Sequence, residues 1–194
     1  MADSIIEYHP LQPFLPPSAK VLMLGSFPPQ QSRWSMNFYY PNLQNDMWRI
    51  MGLIFYSDSD HFLTDNKKAF DEKRIKSFCT EKGIAISDTA KAVIRQKDNA
   101  SDKFLKIVEP IDLPLILNQL PVCHTIITTG QKATDSLREI IQAEEPKIGS
   151  YSAFTFFEKT LRIYRMPSTS RAYPKSLIYK ASMYEAMFNT LTIK

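Results

Sequence analysis

Glycine is scarce in this chain of 194 residues, five in all, and cysteine scarcer still, at two. Cys79 and Cys123 stand in unrelated contexts. Neither a disulfide framework nor a zinc site is expected from them, and a reducing cytoplasm is the compartment they suggest. The three histidines, His9, His61 and His124, are scattered without ligand spacing, so no metal and no cofactor is expected. No apolar run approaches the length of a membrane-spanning helix. The opening Met1-Ala2-Asp3-Ser4 is polar and acidic, unlike the basic and apolar regions of a secretory signal.

Hydrophobic residues make up 44% and charged residues 23%, an ordinary balance for one globular domain of this length. A single domain over residues 1–194 is expected, with 1–19 as an extended, proline-rich lead-in. Thirteen prolines against five glycines mean that tight structure is set mainly by fixed φ angles. The net charge of +4 is compatible with a polyanionic partner. Arg162, Arg165, Arg171, Lys175 and Lys180 crowd the last quarter, where acids are few. They read either as one phosphate-binding face or as a solvated surface.

Val21-Leu22-Met23-Leu24-Gly25 is a continuous apolar run of the kind found in strands buried on both faces. Pro28 and Pro29 forbid its further pairing. Residues 84–86, 125–129 and 161–166 read as further main strands, and 154–159 as an edge strand. Helical spacing covers 45–55, with Met47, Ile50, Met51 and Ile54 on one side. Further helices are predicted over 67–82, stopped by Gly83, and over 113–120, 131–143 and 177–191. Strands and helices in alternation imply an α/β fold with a parallel sheet covered on both faces. Ligands in such folds bind beyond the carboxyl ends of the strands. That rule singles out the loops after Gly25, Ile86 and Met166.

The first of these loops begins Gly25-Ser26-Phe27-Pro28-Pro29 and continues to Asn37-Phe38-Tyr39-Tyr40-Pro41-Asn42-Leu43-Gln44-Asn45-Asp46-Met47-Trp48-Arg49. A glycine after a buried strand lets the backbone approach a ligand. The aromatic rings offer stacking surfaces, and the amide of Asn45 can both donate and accept. The same residues also describe a core strand followed by an aromatic-rich hydrophobic loop. The last loop, Met166-Pro167-Ser168-Thr169-Ser170-Arg171-Ala172-Tyr173-Pro174, carries three hydroxyls and a cation suited to phosphate. It reads equally as a polar turn between strand and helix.

As an ordered set, these motifs resemble those of the uracil-DNA glycosylase superfamily. The first loop is similar to its glycine-to-proline motif and the aromatic, asparagine-containing stretch that follows. Gly83-Ile84-Ala85-Ile86-Ser87-Asp88 looks like its second strand and exit loop, and the last loop looks like the one that enters DNA. Ser26 within Gly25-Ser26-Phe27-Pro28, and the spacing Tyr39-Tyr40, Asn45, Trp48, look most like the hypoxanthine-DNA glycosylase branch. The mismatch-specific uracil and thymine branch comes second. The resemblance spans residues 21 to about 191.

The resemblance implies a three-layer α/β/α sandwich around a central four-stranded parallel sheet. It implies hydrolysis of the N-glycosidic bond of a deaminated base, uracil or hypoxanthine, in DNA. The partner would be DNA carrying a damaged or mismatched base, and the protein a monomer without a membrane. It assigns Asn45 and Asp88 to catalysis. Gly25, Ser26, Phe27, Tyr39 and Tyr40 would bind the base, and Ser168, Thr169, Ser170 and Arg171 the DNA. One departure stands out. Many members carry asparagine or aspartate just after the first glycine, where it handles the attacking water. Here Phe27 follows Gly25-Ser26, and a serine by itself does not replace a carboxylate as a base. Pro29 also replaces the glycine usual after the first proline. The alternative is therefore a non-catalytic nucleic-acid-binding member of the same fold.

Other chemistries fit poorly. No nucleophile-elbow pattern surrounds Ser26. Gly130-Gln131-Lys132 lacks the second glycine of a phosphate-binding loop. Cys123 and His124, adjacent on an extended chain, point to opposite faces.

Overall fold

The computed structural model describes residues 5–96 and 105–193. The two ends of the expected single domain, residues 1–4 and Lys194, lie outside the described residues. The elements are β1 (Ile6–Tyr8), β2 (Val21–Gly25), α1 (Met47–Tyr56), α2 (Glu72–Lys82), β3 (Ile84–Asp88), β4 (Ala90–Arg95), β5 (Leu105–Pro110), α3 (Leu113–Asn118), β6 (Thr125–Thr129), α4 (Gln131–Ile140), β7 (Ser150–Phe156), β8 (Lys159–Met166) and α5 (Leu177–Thr190).

The main sheet has strand order β3-β2-β6-β8-β7. β3, β2, β6 and β8 run parallel, as expected. β7 adds a fifth, antiparallel edge strand, so the expected four-stranded sheet is corrected to five. That edge strand runs over Ser150–Phe156 rather than 154–159, and it ends where Phe157 and Glu158 form the turn, with Phe157 left-handed at φ 51°. Alternation along β2 divides the core. Val21 and Met23 face one hydrophobic cluster, shared with α1, α2 and α5, whereas Leu22 and Leu24 face the other, under α3 and α4. These are the three expected layers.

Helix ends follow side-chain caps. Asp71 accepts from the Arg74 amide at 3.0 Å, which starts α2 at Glu72 rather than at 67. Gly83 ends it at φ 68°, where a side chain would be strained. Asp112 caps α3 and Ser176 caps α5.

A second sheet was not foreseen. It has the order β1-β4-β5, all antiparallel. The extended lead-in is thus partly a paired strand. Ala90, Val93 and Leu105 from this sheet enclose the Phe27 ring in a separate small core.

Candidate active site

The carboxyl ends of β2, β3, β6 and β8 open into a cavity of about 680 Å³, a size that suits a small organic ligand. Every residue assigned a role from the sequence lines it: Gly25, Ser26, Phe27, Tyr39, Tyr40, Asn45, Asp88, Ser168, Thr169, Ser170 and Arg171. Arg33, Gln44, Thr129 and Tyr173 also line it; Gln44 and Tyr173 lie in the loops singled out from the sequence, without an assigned role, and no sequence signal pointed to Arg33 or Thr129.

Gly25 and Asp88 are paired across β2 and β3. A Cβ on Gly25 would lie 2.3 Å from Asp88 Oδ1. Only glycine permits this approach of the carboxylate to the first loop. Asp88 Oδ2 lies 2.9 Å from Nε2 of His9, and both side chains are more than nine-tenths buried. His9, a lone histidine in the sequence, comes from the residue just after β1.

Phe27 does not project freely into the cavity. It meets the His9 ring edge-on at 5.2 Å and is anchored in the small core of the second sheet. Tyr39 is buried, its hydroxyl donating to the Gln12 carbonyl at 3.1 Å. Burial, and secondarily the Asp88 carboxylate, push its phenol far above the ordinary range, against an opposing hydrogen bond from Ser87. Tyr40 is held left-handed at φ 52°, a conformation costly for an aromatic residue. Its hydroxyl lies 2.9 Å from Thr129 Oγ1 on β6, which fixes the ring across the end of the sheet. Trp48 Nε1 donates to the Tyr39 carbonyl at 3.0 Å and so supports this stretch from below.

Asn45 Oδ1 accepts from the Met47 amide at 2.9 Å, closing a turn ahead of α1. That commits the oxygen locally and leaves the Nδ2 hydrogens as the donors it can offer a ligand. Asn45 also bridges to Ser170, which joins the first and last loops. Asp46 cements that junction. Its Oδ1 accepts from Arg171 Nε at 2.9 Å and its Oδ2 from Lys180 Nζ at 3.0 Å, while Lys180 also donates to the Ser170 carbonyl at 2.8 Å.

The basic cluster of the last quarter is therefore dispersed. Lys180 is wholly buried and cannot serve phosphate. Arg165 pairs with Glu145, Arg162 lies over Tyr151, and Lys175 over Tyr179. In the last loop, Ser168 Oγ accepts from the Ser170 amide at 3.3 Å and Ser170 Oγ from the Ala172 amide at 3.2 Å. These hydroxyls shape the loop and keep their own hydrogens for donation. Thr169 is buried, and its carbonyl accepts from the Asp46 amide at 2.8 Å. Cys123 and His124 do not meet: the thiol donates to the Thr125 carbonyl, and the ring contacts the Thr125 hydroxyl.

No model of a known protein family matches the chain, and no curated protein matches it. Among solved structures it is similar to the solution structure of a "putative Uracil DNA glycosylase" from Methanosarcina acetivorans, at 21% identity and a TM-score of 0.64, over 97% of this chain and 99% of that one. The likeness establishes the fold: the two chains share one architecture along essentially their whole lengths. Among the described residues, no helix is long and apolar enough to cross a membrane.

Proposed function

We propose that this protein is a DNA glycosylase that hydrolyses the N-glycosidic bond of a deaminated base, closest in type to the hypoxanthine-DNA glycosylase branch. The observation that carries the reading is the convergence, around one cavity at the strand ends, of Asn45, Asp88 and the loop 168–171. The mismatch-specific uracil and thymine branch is the second choice. Ser26 and the Tyr39-Tyr40, Asn45, Trp48 spacing favour the first. The partner is DNA bearing a damaged or mismatched base. The working state is a monomer in the cytoplasm, where the two free, buried cysteines are at home.

Such an enzyme extrudes the nucleotide and compensates for lost stacking by holding the base in a pocket. The C1′–N bond breaks, and the base departs with the electron pair. Water attacks C1′, gives up one proton through a carboxylate to solvent, and the base anion takes one from solvent. Asn45 Nδ2 donates to the departing base, which carries growing negative charge. Asp88 offsets the positive charge on the sugar and orients the water. Tyr40 and Phe27 wall the base, while Ser168, Ser170 and Arg171 grip phosphates at the rim. Thr169 supports the loop from within.

The rival reading is a non-catalytic nucleic-acid-binding protein of this fold. Phe27 favours it, because an apolar ring occupies a loop position that other members give to a water-handling side chain. Oligonucleotides carrying a single uracil, hypoxanthine or xanthine separate the two. Release of one base by the wild type, lost in Asn45→Asp, would support both the enzyme and the role of the amide. Aspartate keeps the cap acceptor for Met47, removes the donors and puts a negative charge where the base anion departs. Release undiminished in that variant would remove Asn45 from the mechanism. Tight DNA binding with no release from any substrate would favour the rival.

A further inference from the structure

His9 stands behind Asp88, outside the cavity lining, and almost every part of it is held. Its amide donates to the Lys91 carbonyl on β4 at 2.8 Å. Its Nδ1 lies 3.1 Å from the Leu11 amide and 2.9 Å from the Leu11 carbonyl. The neutral ring can accept from that amide, and the protonated ring can donate to that carbonyl. In both states Nε2 carries a hydrogen and donates to Asp88 Oδ2, since a carboxylate only accepts. Phe27 contacts the ring edge-on at 5.2 Å and Tyr39 lies against it at 5.8 Å.

A buried polar pair of this kind adds little net stability over a well-packed apolar pair. Its placement is what calls for an account. With Oδ2 engaged by His9, the other oxygen of Asp88 lies against Gly25, at the mouth of the first loop. Phe27 fills its own loop position with an apolar ring. The carboxylate nearest that loop comes instead from the adjacent strand.

We propose that His9 is a positioning residue for base excision, fixing the Asp88 carboxylate so that Oδ1 is presented to the cavity beside Gly25. The second sheet thereby supports the site: β1 and β4 deliver the imidazole, and Phe27 closes the space between that sheet and the cavity. This assignment rests on the glycosylase reading and extends it to a residue that never touches the substrate.

The test is single-turnover base release by the full chain, on whichever oligonucleotide the wild type cleaves. His9→Gln keeps an N–H donor at the reach of Nε2, while His9→Met fills the volume without one. In His9→Met the rate of release falls by about tenfold to a hundredfold, the loss typical of removing a partner that orients a functional side chain. DNA affinity stays unchanged, and His9→Gln recovers most of the rate. In an Asp88→Asn background, His9→Met costs nothing further, because the two act as one unit. Wild-type rates in His9→Met would overturn the assignment. So would a His9→Gln as slow as His9→Met, or full additivity with Asp88→Asn. Should His9→Met fail to fold, His9→Asn, too short to reach Asp88, takes its place in the comparison. A wild type that releases no base would overturn the glycosylase reading itself, and this assignment with it.

Discussion

Lys180 Nζ, wholly buried within α5, donates to Asp46 Oδ2 at 3.0 Å. The two residues are separated by 134 positions in the chain, and their contact ties the last helix to the residue immediately after Asn45. Removing one member of a buried ion pair strands the other, at a cost of about 3–5 kcal/mol. Arg171 remains on Asp46, which holds the expected loss for Lys180→Met near the lower end, about 3 kcal/mol. Urea denaturation of Lys180→Met and of the double variant with Asp46→Leu checks this. The double variant should recover part of the loss. Equal or greater instability in the double variant would mean that the pair does not carry the junction.

Gly25 is required by Asp88 rather than by its own backbone angles. In Gly25→Ala the new methyl group would lie 2.3 Å from Oδ1, so the carboxylate must move. Overpacking of this kind costs about 1–3 kcal/mol. A shift of about 1 Å at a reacting group costs roughly a hundredfold in rate. Base release by Gly25→Ala should therefore fall by about that factor. In an Asp88→Ala background the same change should cost almost nothing in rate. A Gly25→Ala enzyme that works at wild-type speed would take the Asp88 carboxylate out of the chemistry.

Much of this fold was legible in local pattern. The apolar run 21–25 and the β-branched run 125–129 match β2 and β6 end to end, because a strand buried on both faces needs a continuous apolar stretch. The three loops at the strand ends followed from the α/β rule, and the structure gathers every residue assigned a role in them around one cavity. The second sheet was not legible. β4 and β5 are partly exposed strands without a continuous apolar run, and β1 comes from a proline-rich segment whose partner lies more than eighty residues away. The pairs His9–Asp88 and Asp46–Lys180 were hidden for the same reason. A lone histidine, and a lysine read only as one cation of a basic cluster, give no sign of these partners, and only tertiary structure brings them within reach.

The two cysteines set an alkaline limit on stability. Burial pushes the Cys123 thiol from its ordinary 9.0 up to about 11, and pushes Cys79 higher still. A group whose folded pKa is raised contributes stability that is complete below its unfolded pKa and is lost as pH rises through the folded value. Between about pH 9 and 11 the unfolded chain releases these protons and the native chain keeps them. Each thiol then lowers stability by about 1.4 kcal/mol per pH unit. Denaturation midpoints across that window should fall steeply, and Cys123→Ala should reduce the slope while lowering the starting value. A slope unaffected by removing Cys123 would assign the alkaline loss to Cys79 and the buried tyrosines.

Arg171 shares Asp46 with Lys180 but should behave in the opposite way. Its side chain is 44% exposed, its Nε donates to Asp46 at 2.9 Å, and one terminal nitrogen reaches Gln44 Oε1 at 3.3 Å. Exposed pairs contribute at most about 1 kcal/mol, so Arg171→Ala should barely change the denaturation midpoint. Its effect should appear on DNA. The guanidinium is held through Nε and one terminal nitrogen beside the cavity, and its exposure leaves it accessible to a phosphate. Losing one such contact lowers the slope of log affinity against log salt by about 0.9. Binding to undamaged duplex at several salt concentrations measures this directly. An unchanged slope would show that Arg171 serves only to hold the loop on Asp46. A reduced slope with an unchanged midpoint would separate the two cations of Asp46, one holding the fold together and the other holding DNA.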